Sequence, residues 1–486
     1  MKSTTHVQGT RPSAATPSVV ASCLPMEALK ARRSFTLLGC LVAALLVVPL
    51  LAPSAHAGDT ILHNFTGPAG DGNTSYSTPV SDSNGNLYGT TADGGSHNLG
   101  TVFVLCAPGA PGPMPCNPAL PPWQEIVLYD FQGIAAGDGA NPMSTLIFGG
   151  NYAGRAFTLY GTTYNGGNAN TCSGAGCGTV FELCAPAAAG GCGGAFWTES
   201  VLYQFKGGKD GANPFAGVIE DKANNLYGTT VYGGGKGGCK NSLGAKIYCG
   251  TVYELKRPAG FAPPWAEKIL HRFGAAGDGS NPYGALCCNT SGGISVLYGT
   301  TEFGGASGQG TVFKINNVSP FPYIWLYSFN GADGEQPFDD VVLDASSNVY
   351  GTAFSGGSFG EGVIFELPQP PPAAVAPLYS FCVSAGCPDG ARPTAGVNLN
   401  GGRLYGTTYH GGVPVAGCGG PGCGTVFQFA LPAGPLVPMN DFFGAPGDGA
   451  FPWGGIATDT VAPGVWFGTT TSGGAVGGFG VGYSVP

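Results

Sequence analysis

The sequence predicts an all-β fold, a seven-bladed β-propeller of four-stranded antiparallel blades. A Tyr-Gly-Thr-Thr element occurs seven times, roughly every 50 to 70 residues. Three further short motifs recur around each copy in a fixed order, and four strands per repeat are what propeller blades require. The composition agrees, because 87 Gly and 40 Pro among 486 residues disfavour helices.

Each motif has the β-branched and aromatic residues, bounded by turn residues, that are typical of strands. Strand A is expected after an Asp-Gly-x-x-Pro turn, and strand B is the Tyr-Gly-Thr-Thr element at Tyr88, Tyr160, Tyr227, Tyr298, Tyr350, Tyr405 and Phe467. Strand C is Gly-Thr-Val-Phe or a variant of it, at Gly100, Gly178, Gly250, Gly310, Gly362, Gly424 and Gly480. Strand D is Leu-Tyr-x-Phe, or Leu-His-x-Phe in two copies, at Leu62, Leu128, Leu202, Leu270, Leu326 and Leu378.

This assignment leaves one strand over at the start and one strand missing at the end. Residues 61–65 have no blade of their own, and the last repeat, which ends at residues 480–485, has no strand D. We therefore expect the N-terminal strand to complete the last blade, which closes the ring and removes both free sheet edges.

The N-terminus is typical of an export signal. Basic Lys30, Arg32 and Arg33 precede an apolar run over 35–52, and Ala55-His56-Ala57 fits a cleavage site. We assign 1–57 to a signal peptide with an over-extended start and 58–486 to one propeller domain. Twin-arginine export and lipid anchoring at Cys40 are alternatives. The mature protein is expected to be an extracellular, periplasmic or cell-surface monomer without a membrane span.

Charge argues against nucleic acid as a partner. The whole chain carries 19 basic and 28 acidic residues, and cleavage after residue 57 removes five basic and one acidic residue. The mature chain would therefore have a net charge of −13, which repels phosphate backbones.

Fourteen of the 16 cysteines follow the predicted signal peptide and form seven pairs of close neighbours. An even count, local pairing and an export signal together predict disulfides. A zinc ribbon would need CxxC motifs, which the chain lacks. The adjacent Cys287 and Cys288 could form a vicinal disulfide or remain as two thiols, and the sequence leaves both alternatives open. The other pairs are Cys106 with Cys116, Cys172 with Cys177, Cys184 with Cys192, Cys239 with Cys249, Cys382 with Cys387, and Cys418 with Cys423.

Two sets of aromatic residues are candidates for ligand binding. In the predicted frame both lie on the face formed by the D-to-A and B-to-C loops, where variable loops suit recognition. Packing between blades is the alternative for both sets. The first set follows the turn proline position: Tyr76, Phe215, Tyr283, Phe338 and Trp453. The second follows Gly-Thr-Thr: Tyr164, Tyr232, Phe303, Phe354 and Tyr409.

An Asp precedes the turn glycine in every repeat: Asp71, Asp138, Asp210, Asp278, Asp333, Asp389 and Asp448. Seven carboxylates could indicate calcium or acid/base chemistry, but Asp-Gly is explained by turn formation. Two of the four histidines, His63 and His271, replace a strand tyrosine, and His97 and His410 have no acid or Cys at ligand spacing. We therefore predict no metal, no cofactor and no catalytic constellation.

The repeat unit Tyr-Gly-Thr-Thr…Gly-Gly…Gly-Thr-Val-Phe-x-Leu resembles the GloVer (Gloeo/Verruco) family of bacterial tandem repeats over about Asp59 to Pro486. The resemblance implies an exported, variably anchored protein, and it implies no assigned activity. Together these observations predict a non-catalytic scaffold that binds an extracellular glycan or protein through its loop face. A lyase or glycosidase acting in the central channel, and a structural matrix protein, are the alternatives.

Overall fold

The computed structural model describes residues 58–486, apart from 69, 110–114, 151–156, 169–171, 187–191, 193, 236–238, 240–247, 260–261, 289–295, 372–374, 459–460, 462 and 476. The described residues form the predicted seven-bladed propeller, and each blade is a four-stranded antiparallel sheet. The predicted signal peptide falls on residues 1–57, outside the described part. No helix in that part has the length and hydropathy of a membrane span.

The strands of each blade are given in the order A to D, from the centre outwards. Blade 1 contains Val80–Ser81, Leu87–Thr91, Thr101–Cys106 and Gln124–Asp130. Blade 2 contains Ile147–Phe148, Thr158–Thr163, Thr179–Cys184 and Thr198–Gln204. Blade 3 contains Ile219–Glu220, Leu226–Thr230, Thr251–Lys256 and Ala266–Arg272. Blade 4 contains Cys287–Cys288, Val296–Thr301, Thr311–Asn316 and Tyr323–Ser328.

The remaining three blades follow the same order. Blade 5 contains Val342–Leu343, Val349–Ala353, Val363–Leu367 and Tyr379–Ser380. Blade 6 contains Asn398–Asn400, Arg403–Thr408, Thr425–Ala430 and Leu436–Asp441. Blade 7 contains Ala457–Thr458, Trp466–Thr469, Val481–Val485 and the N-terminal strand Thr60–Asn64.

Short elements outside the blades tie the turns before strand A to the loops after strand B. These elements are antiparallel pairs of two-residue strands: Gly72–Asn73 with Asp93–Gly94, Gly139–Ala140 with Asn165–Gly166, Gly211–Ala212 with Tyr232–Gly233, Gly279–Ser280 with Phe303–Gly304, and Gly449–Ala450 with Ser472–Gly473. Two single-turn 3-10 helices, Ile134–Ala136 and Cys172–Gly174, also lie in loops.

The ring is closed by the N-terminal strand, as the strand count predicts. Thr60–Asn64 pairs antiparallel with Val481–Val485 as strand D of blade 7. Phe65, the next residue, is fully buried and donates its backbone N–H to Gly480 at 3.1 Å. Both chain ends of the domain therefore share one sheet, and the N-terminal strand covers the edge that Val481–Val485 would otherwise expose.

The glycine of Tyr-Gly-Thr-Thr is explained by the aromatic residue of strand C. Gly89 lies opposite Phe103, and a Cβ on Gly89 would be 2.6 Å from that ring. The same register pairs Gly161 with Phe181 and Gly299 with Phe313. An aromatic ring thus packs against a glycine in the adjacent strand, in space that a larger residue would block.

The two threonines of the motif have different partners. The first donates its hydroxyl to a backbone carbonyl in the next blade, so it joins neighbouring blades. Seven such bonds of 2.6–3.0 Å circle the ring: Thr90 to Ser144, Thr162 to Ala216, Thr229 to Gly284, Thr300 to Asp339, Thr352 to Ala395, Thr407 to Gly454 and Thr469 to Ser77.

The second threonine joins strands B and C within a blade. Thr301 Oγ1 lies 2.8 Å from Thr311 Oγ1, and both side chains are fully buried. In blade 5 both members of this pair are apolar, because Ala353 pairs with Val363. This joint replacement explains the one Tyr-Gly-Thr-Ala copy, since no buried hydroxyl is left without its partner.

The described residues form six disulfides, and all six are predicted pairs: Cys106–Cys116, Cys172–Cys177, Cys184–Cys192, Cys239–Cys249, Cys382–Cys387 and Cys418–Cys423. Three of them cross-link B-to-C loops. Cys287 belongs to none of these six bonds, and the side chain of Cys288 lies outside the described part of the chain.

Candidate functional site

The five aromatic residues of the first predicted set meet on the propeller axis. Successive ring centroids lie 5.4–6.3 Å apart from Tyr76 through Phe215, Tyr283, Phe338 and Trp453 back to Tyr76. Phe215 and Trp453 also approach each other across the axis, at 6.4 Å. We call these five residues the axial aromatic cluster. Their largely edge-to-face contacts close the channel at the D-to-A face.

The second aromatic set surrounds this cluster. Tyr164 contacts Phe215, Phe354 contacts Phe338, and Tyr409 contacts Trp453, with centroids 5.3–6.4 Å apart. The hydroxyl of Tyr232 interacts with those of Tyr164 and Tyr283. Phe303 differs from the other four, because 38% of its surface is exposed. Most of the predicted aromatic residues therefore pack against one another.

Behind the axial aromatic cluster lies a central cavity of about 1020 Å³, a size at the upper end of small-ligand sites. Strand A segments of all seven blades line it. Tyr76, Phe215, Phe338 and Trp453 form one end, and the exposed A-to-B turn of blade 5 at Ala345 borders the other. The described lining residues include three aspartates but no Lys, Arg or His.

Two adjacent aspartates, Asp339 and Asp340, line this cavity in blade 5. They lie six and seven residues after the turn aspartate Asp333. The other six repeats have only small residues at these two positions: Ser77-Thr78, Ser144-Thr145, Ala216-Gly217, Gly284-Ala285, Ala395-Gly396 and Gly454-Gly455. The carboxyl pair therefore breaks the sevenfold pattern at one place.

Both neighbouring blades hold Asp339 in position. Thr300 of blade 4 donates its hydroxyl to the Asp339 backbone carbonyl at 2.8 Å, and the Gly396 N–H of blade 6 donates to Asp339 Oδ2 at 3.0 Å. Glycine also makes room for the pair, because a Cβ on Gly396 would overlap the Asp340 carboxylate. Anchoring from two sides restricts the positions that these carboxyls can adopt.

The environment of the pair favours the protonated form. Burial raises the pKa of both carboxyls, and the nearby charge of Asp339 raises the pKa of Asp340 further. The two carboxyls therefore keep their protons to a higher pH than an ordinary aspartate does. Such a pair can accept and donate hydrogen bonds, and it can exchange a proton with a bound molecule.

The seven turn aspartates lie outside the cavity, at the junctions between blades. Each one accepts at least one hydrogen bond from a nearby backbone N–H; Asp138, for example, accepts from Gln132 and Gly139. Several also accept from the strand D tyrosine, as Asp210 does from Tyr203 at 3.0 Å. These contacts are local and alike.

Our sequence predictions missed Asp339 and Asp340, and they missed one further cluster. The fold brings His63 next to Asp71 and Glu125, which lie in different strands and turns. The signal for the aspartate pair was present in the sequence, as a departure from small residues at two repeat positions. The signal for the histidine cluster was not visible, because its members come from two blades.

Solved structures with similar folds include several propeller enzymes. An ancestral GH74 enzyme has 9% identity and a TM-score of 0.50; the match covers 88% of this chain and 51% of that chain, so this chain spans about half its length. A PL25 ulvan lyase has 9% identity and a TM-score of 0.40, with coverage of 78% and 86%. A gluconolactonase from Xanthomonas campestris has 11% identity and a TM-score of 0.38, with coverage of 76% and 88%. At 9% identity, the match to the GH74 enzyme bears on the fold alone.

No curated protein sequence matches the chain. Its sequence does match one family, the Gloeobacter/Verrucomicrobia repeat, in three overlapping segments: 51–241, 174–417 and 295–486. Together the three segments run through all seven blades and end at the last residue of the chain. The protein therefore belongs to the Gloeobacter/Verrucomicrobia repeat family.

Proposed function

We propose that the protein binds a neutral carbohydrate in its central cavity. The observation that carries this proposal is the Asp339–Asp340 pair, which breaks the repeat pattern inside the cavity. Carboxylates accept hydrogen bonds from sugar hydroxyls, and the axial aromatic cluster offers ring surfaces at the cavity floor. Small hydroxyl residues such as Thr78, Ser144 and Thr145 supply further partners along the wall.

Charge limits the class of glycan. The described lining contains Asp339, Asp340 and Asp344 and no basic side chain, so an acidic polysaccharide would meet like charges without compensation. Neutral oligosaccharides avoid this repulsion. The cavity supports the proposal better than the loop face does, because most of the predicted loop-face aromatic residues are occupied with one another.

A glycan array with neutral and acidic oligosaccharides, followed by calorimetry on the hits, tests this proposal. We expect neutral glycans to bind, and Asp340→Ala to weaken binding several-fold, since a hydrogen bond typically contributes about 0.5–1.5 kcal/mol. Phe303→Ala is the matched control for the loop face. Binding that survives Asp339→Ala and Asp340→Ala but is lost in Phe303→Ala would move the site to that face.

Glycoside hydrolysis is a second candidate function, favoured by the raised pKa values of the aspartate pair. One carboxyl that keeps its proton beside one that is ionised supplies the acid and the base that this reaction needs. Release of reducing sugar from the glycans that bind would identify hydrolysis. Asp339→Asn and Asp340→Asn should each abolish release, whereas Glu335→Gln, outside the cavity on the same blade, should not. Binding without release would leave the protein a lectin.

A further inference from the structure

Three side chains of metal-ligand type meet where the ring closes. His63 belongs to the N-terminal strand that completes blade 7, Asp71 to the turn that leads into blade 1, and Glu125 to strand D of blade 1. One nitrogen or oxygen atom from each residue lies within 4.8 Å of the others. The cluster therefore joins the last blade to the first.

The spacing in this cluster fits metal ligation better than direct hydrogen bonding. His63 Nε2 lies 3.5 Å from Asp71 Oδ1 and 3.6 Å from Glu125 Oε2. Strong hydrogen bonds between charged nitrogen and oxygen atoms are about 2.7–2.9 Å long. By contrast, ligands that lie about 2.1 Å from a tetrahedral ion are about 3.4 Å from one another.

Equivalent junctions elsewhere in the ring are built differently. Tyr129 and Tyr203 occupy the histidine position in blades 1 and 2, and their hydroxyls donate to the turn aspartates at 3.0 Å. His271 of blade 3 lies 2.9 Å from Asp278, but there the third residue is Tyr323, which stacks on the imidazole. Among the described junctions, only the closing one combines a histidine with two carboxylates.

Two atoms of the cluster are buried without a hydrogen-bond partner: Glu125 Oε1 and His63 Nε2. The Glu125 side chain is only 6% exposed, so solvent has little access to it. A buried carboxylate oxygen that accepts no hydrogen bond is costly. A bound cation would satisfy Glu125 and His63 together and would neutralise the two adjacent carboxylates.

We propose that His63, Asp71 and Glu125 bind one divalent transition-metal ion, of which Zn²⁺ is the best match. Imidazole nitrogen with carboxylate oxygen suits Zn²⁺, whereas Ca²⁺ takes six to eight oxygen ligands. Three protein ligands leave one tetrahedral position for water. The ion would hold the closing strand to blade 1 and would stabilise the ring without taking part in ligand binding.

Zinc titration of the metal-stripped protein tests this site. We expect one equivalent of Zn²⁺ to bind in calorimetry and to raise the melting temperature. His63→Tyr restores the tyrosine of the other repeats, so this variant should fold; its zinc affinity should fall by more than about 100-fold, since loss of second-shell partners alone costs 10–100-fold. His271→Tyr is the matched control, because it makes the same change at a junction with one carboxylate, and it should bind zinc as the wild type does.

Three outcomes would overturn the proposal. They are the absence of stoichiometric zinc binding to the wild type, equal binding by the wild type and His63→Tyr, and loss of binding in His271→Tyr. Glu125→Gln provides a second test, since it keeps the shape of the side chain and removes a charged ligand. If Glu125→Gln binds zinc as tightly as the wild type, Glu125 is not a ligand and the proposed site is wrong.

Discussion

Asn64 lies opposite Val481 in blade 7, so the first strand and the last strand of the propeller are neighbours in one sheet. The closing strand is fixed by more than its ladder, because Phe65 beyond it is fully buried and contacts the Phe103 ring of blade 1 at 5.2 Å. Closure thus couples both chain ends to the packing between blades 7 and 1.

Deleting the chain through Phe65 should destabilise the protein far more than deleting it through Gly58. The longer deletion removes a whole strand and a buried phenylalanine, and the phenylalanine alone is worth about 3–5 kcal/mol. Thermal unfolding in EDTA measures the difference without any metal contribution. Equal melting temperatures for the two truncated proteins would show that the strand does not hold the ring closed.

Replacing one threonine of the buried Thr301–Thr311 pair should cost more than replacing both. Thr301→Ala leaves the Thr311 hydroxyl buried without its partner, which costs about 1–3 kcal/mol. The double variant Thr301→Ala, Thr311→Val reproduces the Ala353–Val363 pair of blade 5 and should recover at least half of that loss. Chemical denaturation of the four proteins in a double-mutant cycle measures the coupling.

Thr300→Val serves as the control for this cycle. It removes the hydroxyl that bonds to the Asp339 carbonyl of the next blade, so Thr311→Val should not rescue it. Additive losses in both cycles would mean that the paired hydroxyls act independently.

The stability of the wild-type protein should fall, relative to Asp340→Asn, as pH rises above the ordinary aspartate pKa of about 4. Burial and the Asp339 charge raise the folded-state pKa of Asp340, so the folded protein binds more protons than the unfolded chain above pH 4. Each pH unit between the two pKa values costs about 1.4 kcal/mol, because the unfolded chain has released a proton that folded Asp340 still holds. Melting temperatures of the two proteins at several pH values above 4 check the sign of this difference.

Peptide mapping without reduction should recover the six disulfides as links between near neighbours in the sequence. Replacing Cys418 and Cys423 with serine should lower the free energy of unfolding by about 2 kcal/mol, the chain-entropy value for so short a loop. Denaturant titration of the double variant gives this number. A link between cysteines of two different blades would contradict the local pairing.

Most of the architecture could be predicted from the sequence because each strand motif recurs in the seven repeats for the same physical reason. Counting strands was enough to assign residues 61–65, which the structure shows as the strand Thr60–Asn64, to the last blade. One strand was left over at the start and one was missing at the end, and pairing these two closes the ring. The two predicted aromatic sets pack against one another, and this packing depends on the diameter of the channel. Strand patterns do not specify that distance.

The Asp339–Asp340 pair was missed for a different reason. The repeat motifs consist of residues that recur in every blade, whereas these two carboxyls occur in one blade alone. The His63 cluster could not be found from spacing at all, because Glu125 reaches His63 only after the ring has closed. Ring closure therefore brings together side chains of blades 7 and 1 that neither blade contains by itself.

The axial aromatic cluster closes one end of the cavity, so the cavity has one entrance. A polymer cannot pass through a cavity that is closed at one end. A long glycan could therefore insert only its terminus, and any product would have to leave by the entrance that the substrate used. Internal segments of a polysaccharide would stay outside. Chain ends and short oligosaccharides, rather than the middle of a fibre, are the molecules that can reach the two aspartates.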